Sequence, residues 1–218
     1  MRKELCEQEV KYDELIRLFL LEAGIYILLL YCMNNWIITD QVIFNSMMGL
    51  VDMDSDLDHY FLTIGKGRNW AYLVSPIVFA LRVFFTGCVL YSVLLIKNQP
   101  APFPAVLKLM LIAELVFILG SAIRTAWLLV KSDIGTIQEI SDAALFSLAD
   151  LVRVPPDSIY LAGLRVLNLF ELTYILILGF LLSVLLKMNW RNGLRYVLGS
   201  YGLLLLCWIC LICLVQLL

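Results

Sequence analysis

Charge is what this chain has least of. Asp, Glu, Lys and Arg together make up 16% of its 218 residues, too few to coat a water-facing surface, which excludes an ordinary soluble domain. The formal net charge is −2, so the overall balance offers nothing to a nucleic-acid partner. Histidine occurs once, as His59, and the long apolar runs contain no His and no Asp. With no nucleophile beside a base in those runs, the chain is not expected to be an enzyme, least of all an intramembrane hydrolase.

Several nucleotide and metal signatures are also missing. GKGR at Gly65–Arg68 lacks the spacing of a phosphate loop and the strand and helix that would flank one. Asp52, Asp54, Asp56 and Asp58 alternate as a calcium loop might begin. Counting from Asp52, however, the sixth and twelfth positions hold Leu57 and Thr63, and counting from Asp54 they hold His59 and Gly65. A solvated acidic loop is the expectation, with His59 beside it at the surface. The spacing of Cys207, Cys210 and Cys213 invites a metal reading, but three-residue steps on a helix turn each thiol about 60° from the last. Those cysteines are read as small packing residues, and no metal or cofactor is expected.

Apolar residues are what the chain has in plenty: 62% of the total, with a mean hydropathy of +0.90. Five runs are long enough to cross a hydrocarbon core about 30 Å thick, at about 18–38, 70–96, 105–130, 159–186 and 196–218. The prediction is an all-α polytopic membrane bundle of five transmembrane helices in one domain, 1–218, with short interfacial helices. The flank MRKELCEQEVKYDELIR is mixed in charge and no small-residue cleavage site follows the first run, which is expected to stay as an anchor.

Basic residues orient the spans. With the N-terminus cytoplasmic, that side holds nine: Arg2, Lys3, Lys11, Arg17, Lys97, Lys108, Lys187, Arg191 and Arg195. The far side holds four: Lys66, Arg68, Lys131 and Arg153. The expected orientation is N-terminus in and C-terminus out. Two far-side stretches, Gln41–Val51 and Ile137–Leu151, carry apolar stripes at helical spacing that suit the membrane surface. On the cytoplasmic side, KNQPAPFP should form a stiff non-helical turn.

Against this apolar background stand Arg82, Glu114, Arg124, Arg165 and Glu171. Each costs roughly 2.5–3.5 kcal/mol at bilayer depth unless it turns inward to a partner. Rise per residue brings Arg82 and Glu171 together near the midplane, puts Glu114 just beneath, and leaves Arg124 and Arg165 as an outer basic layer. Ser75 and Thr86 on the second run, Ser121 and Thr125 on the third and Asn168 on the fourth extend this polar seam. Glu22 reads as an interfacial carboxylate beside Arg17. Three arginines against two or three glutamates are nearly balanced, which favours a structural ion-pair network. A polar cavity for a solute, proton or lipid headgroup is the competing reading.

The segment Arg165–Leu205 contains LNLFEL at Leu167–Leu172, a Leu- and Gly-rich helix, a short basic turn and a last apolar run, with FSLADL upstream of a double proline. In these features it resembles the Yip family of Ypt/Rab-interacting membrane proteins. The 17-residue tail points to a prokaryotic-type relative rather than the long-tailed eukaryotic members. The resemblance implies five spans, a cytoplasmic N-terminus, a prokaryotic cytoplasmic membrane and a non-enzymatic role, with Asn168, Phe170 and Glu171 in the fourth-span motif. The expected function is to organise the bilayer and a membrane-protein partner or a second copy. The alternative is a small transporter or lipid-handling protein that uses the Arg/Glu seam.

Overall fold

A computed structural model describes residues 12–47, 57–99, 101–131, 134–143, 146–152, 155, 158 and 160–216. The tail before Tyr12 and Asp52, Asp54 and Asp56 of the acidic run lie outside these residues, as do the side chains of Asp58 and His59.

The described chain is helical throughout, and the one β-type pairing in it is an isolated bridge between Ser147 and Asn168. Helix α1 spans Tyr12–Cys32 and ends in a π-turn, Met33–Ile37. There follow α2 (Asp40–Met47), α3 (Leu57–Ile96), α4 (Phe103–Val130), α5 (Ile137–Asp142), α6 (Leu148–Val152) and α7 (Leu161–Val166). The chain ends with α8 (Leu169–Leu185), α9 (Trp190–Val197), a second π-turn at Leu198–Gly202, and α10 (Leu203–Val215).

Four stretches are both long and apolar enough to cross a membrane: Tyr12–Ile37, Asn69–Ile96, Phe103–Val130 and Trp190–Val215. Leu169–Leu185 is equally apolar but has 17 residues. The continuous span expected at 159–186 is therefore corrected. It is cut at Leu167–Asn168, where Asn168 leaves the helical region and caps α8 by accepting a hydrogen bond from the Glu171 amide at 2.9 Å. The GKGR lead-in is corrected as well, for residues 65–68 are helical within the 40-residue α3. The far-side stripe at 137–151 is divided into α5 and α6. The proline-rich turn is as expected: Asn98 takes a positive φ of 53°, and α4 begins at Phe103 with Pro104 in its first turn, where a missing N–H costs nothing.

Burial follows lipid logic. On α8, Tyr174, Leu178 and Leu182 are fully buried, while Leu172, Leu176, Phe180 and Val184 on the opposite face are about half exposed or more. In water such an apolar surface would be untenable. In a bilayer it is solvated by acyl chains, and the helices keep every backbone polar group satisfied.

Contacts divide the chain into two compact units. The first comprises Met1–Glu22, Leu81–Phe117 and Phe146–Leu218. In it α8 and α9 form a close hairpin: the Gly193 Cα faces the Gly179 carbonyl, and a methyl there would also stand 3.0 Å from Ser183 Cβ. Gly163 of α7 does the same against α10, where a Cβ would lie 2.9 Å from Cys213 Sγ. The second unit comprises Ala23–Ala80 and Ile118–Leu145. Its buried cluster joins Ile37, Val42, Leu128 and Ile140.

Candidate functional site

The most heavily buried charges lie in the first unit, and their arrangement starts from helix register. Helices α1 and α4 are joined by an ion pair of Lys108 Nζ with Glu14 Oε2 at 2.8 Å. From that pair, eight residues up α1 lead to Glu22 and six residues up α4 lead to Glu114, rises of about 12 Å and 9 Å. The two carboxylates therefore come nearly level and lie within electrostatic range of each other. Both residues are 0% exposed, and neither carboxylate has a hydrogen-bond partner among the described residues.

The interfacial reading of Glu22 is overturned by this geometry. Glu22 is 0% exposed, and Arg17 pairs with Asp13 at 2.7 Å instead. Residues 12–17 look like a polar tail, and that concealed the depth of the next carboxylate.

Arg82 of α3 meets Glu114, not Glu171, with Nε 3.5 Å from Oε1. Its guanidinium also lies over the Phe117 ring, 4.1 Å from the centroid, in a cation–π contact. From Phe117 an aromatic stack continues to Tyr174 at 4.9 Å between centroids and on to Tyr201 at 4.8 Å. The Tyr201 hydroxyl then donates to Glu171 Oε2 at 2.7 Å. Arg82 and Glu171 thus belong to one cluster, at opposite ends of an aromatic bridge, rather than to one ion pair. The Tyr174 hydroxyl takes the sulfur of Met110 as its partner at 3.4 Å. Tyr201 sits in the π-turn Leu198–Gly202, whose extra residue per turn alters the helical register just where Glu171 must be reached.

The rest of the expected seam is dispersed. Thr86 and Thr125 are buried, but their hydroxyls donate to carbonyls of their own helices, those of Arg82 and Ser121. Arg124, in the second unit, donates to the Ile140 carbonyl at 2.7 Å and so anchors α5 to α4. Arg165 ends α7, half-buried and engaged in contacts of its own, and Asn168 works as a helix cap. A cavity of about 500 Å³ in the second unit, lined by Trp36, Thr39, Asn45 and Lys131 among others, includes none of the clustered charges.

Sequence reasoning thus singled out Arg82, Glu114 and Glu171 and missed Glu22, Tyr174 and Tyr201. A charged residue four positions inside an apolar run was the available signal for Glu22. Nothing in the sequence distinguishes the two tyrosines from the others.

All-α architecture, four long apolar helices and lipid-facing apolar surfaces define this as a membrane protein. No family model, curated protein or solved structure matches the chain.

Proposed function

We propose that the protein is a multi-pass integral membrane protein that performs no covalent chemistry and carries a small cation within the bilayer through the Glu22–Glu114–Arg82 cluster. One observation supports this above all: two fully buried carboxylates lack hydrogen bonds among the described residues, and Arg82 pairs with one of them, Glu114. A purely structural ion network tends to satisfy each member, because an unsatisfied buried carboxylate is destabilising. Leaving two of them without hydrogen bonds, one of them without an ion pair as well, fits a site that takes up positive charge.

In this reading α8 is the fourth of five crossings. Seventeen residues span about 25 Å, at the short end of what a bilayer accepts. The N-terminus is cytoplasmic and the C-terminus lies on the far side, following the nine-to-four distribution of basic residues. The likeness of Arg165–Leu205 to the last two spans of the Yip family supports the same five-span arrangement. A second reading, an organiser of membrane-protein partners or of a second copy, rests on α10, none of whose residues is buried.

The test is electrical. Full-length protein in liposomes, adsorbed on a solid-supported membrane, is exposed to rapid jumps of pH or of sodium concentration. A transient current is expected from the wild type and none from Glu114→Gln of equal thermal stability. Wild-type currents no larger than those of protein-free liposomes overturn the carrier reading.

A further inference from the structure

The cation-handling reading leaves open which ion is held, and where. We infer that Glu22 and Glu114 together hold one proton, with Arg82 neutralising the remaining negative charge. This deepens the proposed function and rests on it only for the consequence, not for the site itself.

Charge balance is the first ground. Two carboxylates and one guanidinium sum to −1 when all are ionised, and each carboxylate is 0% exposed. An uncompensated charge at that burial is far costlier than a neutral carboxyl group. One added proton brings the trio to zero. Of the groups facing this trio, Tyr174 and Tyr201 are neutral phenols, and Lys108 and Glu14 cancel each other further along α1 and α4. Glu171 accepts from the Tyr201 hydroxyl at 2.7 Å and, when ionised, adds a negative charge that favours protonation of the Glu22–Glu114 pair further.

Coordination chemistry is the second ground, and it separates a proton from a metal ion. A bound metal cation needs a shell of several oxygens at once. Beside Glu114 stands Arg82, whose Nε is 3.5 Å from Oε1, where it would repel a metal, and whose guanidinium lies over the Phe117 ring; among the described residues no three His, Cys, Asp or Glu side chains group as metal ligands. Nearby Thr86 directs its hydroxyl hydrogen to the Arg82 carbonyl. A proton needs a single lone pair, which either carboxylate offers.

The transfer itself is an ordinary acid–base exchange. A carboxylate lone pair takes a proton delivered by water to form the O–H bond, and the return step breaks that bond. No electrons change hands. The site would alternate between a charge of −1 and 0, and the difference biases whichever helix arrangement buries it more deeply.

Infrared difference spectroscopy on the intact protein in lipid, between acidic and alkaline buffer, reads the protonated-carboxyl stretch directly. The wild type should show a band from a buried carboxyl that alkaline buffer removes. That band should be absent from Glu22→Gln, where Arg82 alone balances Glu114. In Glu114→Gln the band should persist at a shifted frequency, because Glu22 loses the carboxylate beside it and has no hydrogen-bond partner among the described residues, so this variant decides the matter if Glu22→Gln does not fold. Glu14→Gln, which alters only the exposed ion pair, should retain it. No such band in the wild type, or one unchanged in both variants, overturns the proton site. A band without any transient current upholds the site and removes the carrier. A sodium-driven current without a band does the reverse.

Discussion

At the scale of single residues, Tyr201 and Glu171 show how a membrane interior treats a polar group. Glu171 is 9% exposed, and among the described residues its carboxylate takes its hydrogen bond from the Tyr201 hydroxyl at 2.7 Å. Removing that donor while keeping the ring leaves the carboxylate bare and should cost about 1–3 kcal/mol. Tyr201→Phe is therefore expected to melt at a lower temperature in detergent micelles, and Tyr201→Phe with Glu171→Gln to recover much of the loss. An unchanged melting temperature in the single variant would mean that Glu171 finds another partner. The need for inward partners at Arg82, Glu114 and Glu171 was legible in the sequence, because a charge within an apolar run cannot face acyl chains without a large solvation cost. The pairing of Arg82 with Glu171 was not, because depth alone leaves rotation about the helix axis undetermined.

At the scale of elements, the hairpin of α8 and α9 depends on glycine at the point of closest approach. Gly193 meets the Gly179 carbonyl so closely that a methyl must push the two helices apart. Gly193→Ala should destabilise by about 1–3 kcal/mol or more through overpacking. By contrast, Gly199→Ala, with nothing within 4 Å of the added carbon, should be neutral or slightly stabilising. Thermal melts of the two variants side by side decide the matter, and equal effects would remove the close-approach account. Both glycines look alike in sequence. The elements that sequence reasoning misplaced, the broken span at Leu167–Asn168 and the helical GKGR stretch, are those where a local signal competed with its surroundings. An Asn inside an apolar run can be a buried polar group or a cap, and the Asn168 side chain took the cap because it satisfies the orphan Glu171 amide.

At the scale of the whole molecule, the distribution of basic residues predicts opposite locations for the two termini. Single cysteines introduced in the Lys97–Pro102 turn should react with a membrane-impermeant maleimide only from the cytoplasmic side. Cysteines at Lys131 or Gln216 should react only from the other side. Labelling of Gln216 from the same side as the turn would mean that Leu169–Leu185 does not cross, and four crossings would replace five. The long apolar helices were readable in advance because hydropathy is a sum over neighbours along the chain, and lipid selects on that sum alone. Which carboxylate faces which guanidinium, and that Glu22 belongs with Glu114 rather than with Arg17, was decided only in three dimensions. Those pairings depend on the approach of α1 to α4 and on the π-turn that carries Tyr201. Each is set by packing between segments distant in sequence, to which a local pattern is blind.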